Sequence, residues 1–376
     1  MNLNDLPNEV LLQILSFLKQ PDLLHSVCRL SKRFYRLSRN SSLWTRVDLS
    51  SLQIGSTEVK RFLKQNLIGS FTLDLAIRFQ DDLQNIQKYL HPLLKICTNL
   101  QRLRLFSGHA DHFMSLYEIL PLTIRHLQLT MVGIRNSDSS KLNKSPAKLV
   151  GLEHLSIVRC SWFSDAHLNH LLHSHPCRNL VHLDLGGCYR LFGGAPAYLN
   201  LGTRIGLLIR FLDKTCSHLR FLGLRSVFNC LSHVEQSGPV STVSSMFDST
   251  PLLETIDLSC NSGLSHHICY SDSSASSFLQ SLFSPSRLAG RTKSKFTLYL
   301  RDWPTACVSR IIRACTETLD ERSTLTLVAN IYPEPVIPPK SHVILVNQVS
   351  ERTTGRRATS RTADEPEQKK TKSQEL

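Results

Sequence analysis

The sequence predicts an α/β protein in three parts: a three-helix module over residues 1–48, a repeat solenoid over 49–348 with irregular C-terminal repeats, and a disordered tail over 349–376. Three observations predict it. Apolar residues recur at helical spacing over 6–37 and are interrupted by Pro21-Asp22. From residue 71 onward a short leucine pattern of strand period repeats along the chain. Residues 351–376 then lose every aliphatic pattern and mix both charge signs, which is the composition of a chain that cannot bury a core. Hydrophobic residues make up 41% and charged residues 20%, the balance of a globular protein. No stretch reaches the ~18 consecutive apolar residues that a membrane helix needs.

In the first part, Leu6-Pro7 opens a helix, with Pro7 suited to its first turn and Glu9 favoured there by the helix dipole. Val10, Leu11, Leu12, Ile14, Leu15, Phe17 and Leu18 make that helix apolar on most of its circumference. Leu23, Leu24, Val27 and Cys28 form a second stripe. Ser31 caps a third helix carrying Phe34, Tyr35 and Leu37, and Leu43-Trp44 follow a polar turn. A body of roughly 45 residues has too little interior to bury a helix that is apolar nearly all round. The surplus face therefore covers either the next domain or another protein.

These residues resemble an F-box along the whole stretch from Leu6 to Leu49. The resemblance rests on Leu6-Pro7-x-Glu9, Ile14-Leu15-x-x-Leu18, Asp22-Leu23-Leu24, Ser31-Lys32-Arg33 and the closing Leu43-Trp44, with Phe34 where the family usually has Trp. It implies a protein that binds the Skp-type adaptor of an SCF (cullin-RING) ubiquitin ligase, and through it cullin and RING protein. It further implies that Leu6, Pro7, Val10, Ile14, Leu15, Leu18, Leu23, Leu24, Val27, Leu30, Phe34, Leu43 and Trp44 supply or support the adaptor-docking surface.

The solenoid is read from L-x-x-L-x-L. It recurs as Leu100-Leu103-Leu105, Leu152-Leu155-Ile157, Leu180-Leu183-Leu185, Leu219-Leu222-Leu224 and Leu253-Ile256-Leu258. Weaker copies stand at Phe71-Leu73-Leu75, Ile124-Leu127-Leu129, Phe296-Leu298-Leu300 and Leu325-Leu327. Intervals of 24 to 28 residues in the first half suit leucine-rich repeats. The longer intervals that follow predict insertions near 186–215, 228–250 and 262–294, with the Ser-rich 270–287 stretch the plainest loop. Cys160-Ser-Trp-Phe163-Ser164-Asp165-Ala-His-Leu168 resembles the turn of cysteine-containing leucine-rich repeats, and Cys188 and Asn261 hold the corresponding position after Leu185 and Leu258. Together with the N-terminal module this resembles the F-box/leucine-rich-repeat family.

Strand period puts Leu155 and Ile157 inside while His154, Ser156 and Val158 face the concave side. One outward column reads Arg102, His126, His154, His182, Phe221, Thr255, and the next Arg104, Gln128, Ser156, Asp184, Gly223, Asp257, with Arg225 and Arg301 nearby. This face is the expected substrate surface, with Arg102, Arg104, His126, His154, His182, Asp184, Phe221, Arg225, Asp257 and Arg301 as candidates. Arginine forks suit carboxylate or phosphate, which points to an acidic or phosphorylated protein substrate. The three histidines are spaced 28 residues apart, so if the strands pair in register their rings should neighbour one another, titrate together and be shifted downward; the competing reading is a solvated, uncoupled row.

The formal charge of +14 is spread along the chain with no nucleic-acid module, which favours an acidic protein partner over nucleic acid. The 11 cysteines form no CxxC pair and read as reduced thiols of a cytoplasmic or nuclear protein. The glycines at 186–187 and 193–194 match neither phosphate-binding fingerprint. His167, His170, His173, His175 and Cys177 lie close in sequence, but helical spacing turns His170 and His173 to solvent, so neither metal nor cofactor is expected. The expected role is a non-catalytic receptor subunit that holds a substrate for ubiquitination; the alternative is a non-degradative scaffold assembled through the same module.

Overall fold

A computed structural model describes residues 3–55, 57, 67–80, 85–136, 149–173, 179–192, 201–215, 218–228, 250–283, 294–319, 323–330 and 343–347. The tail and the 228–250 insertion expected from sequence lie almost wholly outside these residues.

The N-terminal module is built from α1 (Asn8–Ser16), α2 (Gln20–His25) and α3 (Lys32–Leu37), with short 3-10 turns before α1, between α2 and α3, and after α3. Pro7 stands one residue earlier than expected, at the N-cap of α1, where its extended ψ of 152° still lets its carbonyl accept from the Leu11 N–H at 3.1 Å. Ser31 Oγ accepts from the Phe34 N–H at 3.2 Å, the expected cap of α3. In the same turn Arg33 donates to the Leu6 carbonyl at 2.6 Å and to Asn8 Oδ1 at 2.8 Å, fastening the start of α1 to α3. Leu11, Leu15, Leu23, Leu24, Val27, Phe34, Leu37, Leu43 and Trp44 make the interior. The Trp44 indole N–H donates to the Ser38 carbonyl at 2.8 Å, so its one polar atom is satisfied where it is buried.

The sheet begins at once. Strand β1 (Arg46–Ile54) runs through the boundary expected after residue 48, and the Gln20 amide reaches from α2 to the Arg46 carbonyl at 2.8 Å. Ten more strands follow in the same sheet: β2 (Asp74–Phe79), β3 (Arg102–Phe106), β5 (His126–Thr130), β7 (His154–Val158), β8 (His182–Asp184), β9 (Phe221–Gly223), β10 (Thr255–Asp257), β11 (Ser294–Tyr299), β12 (Ser323–Ala329) and β13 (Val343–Asn347). Sheet order is chain order and each neighbouring pair is parallel. Two further strands, β4 (His109–His112) and β6 (Gly133–Asn136), pair separately beyond β3 and β5. Parallel neighbours need a return segment. Helices serve several of these returns: α4 (Gln87–Ile96), α5 (Phe113–Glu118), α6 (Asp165–His173), α7 (Leu201–Thr215), α8 (Ser262–Ile268), α9 (Asp272–Leu282) and α10 (Thr305–Thr318).

Two hydrogen-bond ladders set the register. At the strand starts, one carbonyl receives two successive amides of the next repeat: Leu73 from Gln101 and Arg102, Gln101 from Arg125 and His126, Arg125 from Glu153 and His154. Beyond the strand ends, Ser107, Met131, Arg159, Gly187, Ser226, Cys260 and Asp302 occupy equivalent positions with φ between 54° and 77°. Met131 N–H donates to Val158 O at 2.9 Å, Arg159 to Gly186 at 2.7 Å, Ser226 to Ser259 at 3.0 Å and Cys260 to Arg301 at 2.8 Å. A left-handed residue other than glycine costs about 1–2 kcal/mol, and persists where its surroundings fix it from several sides. Here each such residue is held by the next repeat.

Leu75, Leu103, Leu127, Leu155, Leu183, Leu222, Ile256, Leu298 and Leu327 share one register and are buried. The turn position noted at Cys160, Cys188 and Asn261 is equally buried. Cys188 Sγ donates to the Ile157 carbonyl at 3.1 Å, and the Asn261 amide donates to Leu224 and Leu258 at 2.8 and 2.9 Å while accepting from Phe228 N–H at 2.9 Å.

Three sequence expectations are corrected. The copy at 71–75 is two residues out of register: Leu75 and Ile77 pair with Leu103 and Leu105, because β2 starts only at Asp74. The Ser-rich stretch is not a loop over 272–282. There Ala275, Phe278, Leu279 and Leu282 form an i, i+3, i+4, i+7 stripe, all are buried, and Ser271 caps the helix by accepting from the Ser274 N–H. The 186–215 insertion likewise holds a return helix, α7, whose Ile205, Leu208 and Leu212 are buried.

Gly187 adds no Cβ at the one glycine of this left-handed column, where a Cβ would stand 3.0 Å from Arg159 Cγ and 3.2 Å from Arg159 Cα. Gly187→Ala is therefore expected to lower stability by about 1 kcal/mol or more. Met131→Gly, at an exposed side chain in the same conformation, should leave the urea midpoint unchanged or raise it. Equal midpoints for wild type and Gly187→Ala would show that the turn is not held as described.

Candidate functional site

Two surfaces carry the residues singled out from sequence. The first is the outer face of the helical module. Helix α1 turns Leu11 and Leu15 inward and leaves Val10 39%, Ile14 41% and Leu18 38% exposed, with Leu30 at 67% beside the second turn. Leu6 is half-buried against the core and Pro7 exposed. Leu15, Leu23, Leu24, Val27, Phe34, Leu43 and Trp44 are buried, so they brace this face from below and offer little of their own surface to a partner. The sequence reading missed Phe17, the most exposed apolar side chain of the module at 82%, together with Leu3 and Tyr35. Phe17 lies three residues after Ile14 and seven after Val10, a helical stripe that could have flagged it.

The second surface is the solvent face of the sheet. Arg102, His126, His154, His182, Phe221 and Thr255 stand in exact cross-strand register, as do Arg104, Gln128, Ser156, Asp184, Gly223 and Asp257. The rings of the first column stack: His126 on His154 with centroids 4.1 Å apart, His154 on His182 at 5.3 Å, and His182 on Phe221 at 4.1 Å with planes 6° apart. All four residues are half-buried. Desolvation holds each imidazole below its ordinary pKa. The neighbouring rings add to this for His126 and for His182, which is brought down to about 4, while Glu153 opposes it at His126 and His154.

The charges beside this ladder are already paired. Arg102 Nη1 lies 3.1 Å from Asp74 Oδ2, and Arg104 Nη2 lies 3.4 Å from Asp48 and 3.5 Å from Asp74. Burial opposes ionisation of Asp48, yet hydrogen bonds from Ser50 and the Arg104 charge hold its carboxyl below the usual range. Arg225 Nε stands 3.7 Å from Asp257, and Arg301 lies over the Tyr299 ring at 5.4 Å. Asp184 leans across β9, where a Cβ on Gly223 would collide with its carboxylate. Burial pushes its pKa up, although the Gly186 N–H donates to it at 3.1 Å. The sequence expected arginine forks to offer themselves to a substrate here; on the folded face Arg102, Arg104 and Arg225 already lie against carboxylates two strands or fewer away.

The histidine cluster on α6 also differs from expectation. His170 is buried rather than solvent-facing, set edge-on to Tyr117 at 5.1 Å, because α5 packs against that side of the helix. His167 is buried edge-on to Phe113 and Trp162, with Ser164 Oγ 2.9 Å from its Nδ1. Desolvation lowers the His167 pKa to about 4. The His173 side chain, His175 and Cys177 lie outside the described residues. Among the described residues no group of three or more His, Cys, Asp or Glu side chains is placed to hold a metal ion, and no helix is long and apolar enough to cross a membrane.

Residues 3–50 match the F-box-like family model. An F-box-like domain therefore occupies the N-terminal module, and the partner such a domain implies is a Skp-type adaptor.

The ladder predicts a pH response. Each ring has a folded pKa below the unfolded value of 6.5, so folding favours the neutral form. The stability this contributes is whole above pH 6.5 and is lost as pH falls from 6.5 toward 4, where His182 itself takes a proton. An NMR titration of the imidazoles should place His182 near 4 and His126 and His154 below 6.5. In His126→Phe the His182 midpoint should move up, because one neighbouring positive charge is gone. A His182 midpoint at 6.5 would remove the ladder from the account.

Proposed function

We propose that this chain is the substrate-recognition subunit of an SCF-type (cullin-RING) ubiquitin ligase, working in the cytoplasm or nucleus and without catalytic residues of its own. The observation that carries the reading is the exposed apolar face of Val10, Ile14, Phe17, Leu18 and Leu30 on a domain whose interior is already filled. A patch of this kind on a small domain marks a protein-interaction site. Docked there, the adaptor links the chain to cullin and RING protein, and the ligase acts by raising the effective concentration of a bound substrate near the ubiquitin donor.

In the same reading residues 49–348 are leucine-rich repeats, and the protein is similar to the F-box/leucine-rich-repeat group, with CTNLQRLRL and GGCYR resembling that group's twelfth vertebrate member. Support comes from the parallel sheet in chain order, the recurring left-handed turn and the buried Cys160, Cys188 and Asn261. A protein substrate binds the solvent face of the strands through the column of Arg102, His126, His154, His182 and Phe221. An acidic or phosphorylated segment would have to compete with Asp74 and Asp48 for the arginines, so the stacked rings are the more available contact.

Phe17→Asp and Ile14→Glu place a charge where the adaptor should bury an apolar side chain. Each is expected to weaken adaptor co-purification by about 100-fold or more while far-UV circular dichroism stays unchanged, since both side chains are exposed in the free protein. The wild type should also recover neddylated cullin and a client that accumulates on proteasome inhibition. Stoichiometric co-elution of the Phe17→Asp protein with the adaptor would sink the docking assignment.

A further inference from the structure

Away from both surfaces, one pair of side chains is arranged for chemistry. Cys269 closes the C-terminus of α8 and Cys307 stands in the first turn of the 14-residue helix α10. Cys269 is buried and Cys307 half-buried. The Cys269 thiol donates to the Cys307 carbonyl oxygen at 3.4 Å, which sets the two cysteines side by side. Arg310, one turn further along α10, donates to the carbonyls of Cys269 and Tyr270 and pairs through Nε with Asp272 at 3.0 Å. It is thereby held beside the pair.

Three features of this arrangement favour negative charge on Cys307 and outweigh its partial burial. The Cys269 thiol lies beside it, the Arg310 guanidinium is near, and the first turn of a helix stabilises an anion. Cys269 chiefly holds the Cys307 thiol below its ordinary value, while the same neighbour and burial push Cys269 upward. Burial pushes Cys97, Cys160 and Cys315 up to about 12. Half-buried Cys260 is also raised, by desolvation and by Asp302, to which its thiol donates at 3.0 Å. These thiols are therefore poor competitors for an electrophile.

We propose that Cys307 and Cys269 form a hydroperoxide-reactive dithiol, Cys307 as the attacking sulfur and Cys269 as the resolving one, closing a disulfide between α8 and α10. In the first step the Cys307 thiolate attacks one oxygen of the hydroperoxide. The O–O bond breaks, Cys307 becomes a sulfenic acid, and the departing oxygen takes a proton to leave as water or alcohol. In the second, Cys269 Sγ attacks the Cys307 sulfur, the S–O bond breaks, and hydroxide leaves with the Cys269 proton as water. Two thiols lose two electrons and the peroxide gains them. The bridge would tie two return helices 38 residues apart in sequence.

The test treats the reduced full-length chain with one equivalent of hydrogen peroxide at pH 7, followed by alkylation and peptide mass spectrometry. The expected result is a single Cys269–Cys307 disulfide, with Cys307 reacting at least about tenfold faster than Cys260, since only a thiolate attacks. Cys269→Ser should leave a Cys307 sulfenic acid trapped by dimedone, and Cys307→Ser should abolish both products. The wild-type measurement needs no substitution, so a poorly folding variant does not blunt it. Oxidation of Cys260 at the same rate as Cys307, or Cys307 sulfinic acid in the wild type without a disulfide to Cys269, would overturn the proposal.

Discussion

The inward row of aliphatic side chains from Leu75 to Leu327 is the constraint on which the rest of this molecule depends. Strands of three to seven residues cannot cover their own apolar side, so each stands only because the next lies beside it in the same register. The backbone enforces that register at both strand ends, by the shared carbonyls before the strands and by the left-handed residues after them. Asn261, Cys188 and Cys160 then close the turns from inside, where a buried polar atom without a partner would be costly. Strain at one position per repeat is tolerated because the following repeat binds the N–H of the left-handed residue.

That in-register stacking has an electrostatic consequence on the opposite face. Residues spaced 28 apart in sequence become ring-on-ring neighbours, and three imidazoles capped by Phe221 form a continuous, largely uncharged strip. The same geometry brings Asp48 and Asp74 within reach of Arg102 and Arg104 across one or two strands. Partly exposed pairs like these add little to stability. What they do is set the character of the face, where Arg102 and Arg104 arrive at any partner already engaged.

The helical module meets the sheet with no intervening linker, since β1 starts two residues after Trp44 and Thr72 Oγ1 donates to the Trp44 carbonyl at 3.1 Å. Fastened there on one side and filled by Trp44, Phe34 and the leucines of α2, it has no further room for the second apolar face of α1. That face is exposed because the interior is complete, which is why it reads as a surface made for a partner.

Much of this was legible in the sequence. The inward leucines, both outward columns, the Ser31 cap and the neighbouring histidines all follow from strand and helix periods, which are local and survive without knowing the fold. The two-residue slip at 71–75, the helix hidden in the Ser-rich stretch and the missing final strand β13 arose where weak or irregular patterns left the local signal ambiguous. Other features belong to the tertiary structure alone. Non-glycine residues such as Met131 and Arg159 take left-handed backbone because a neighbouring repeat binds their N–H. His170 is buried because α5 packs on it, the arginines are paired because strands two places apart align, and Cys269 meets Cys307 across 38 residues. Period and composition decide which way a side chain leaves its own strand or helix; what it finds there depends on which distant segment the closed core brings alongside.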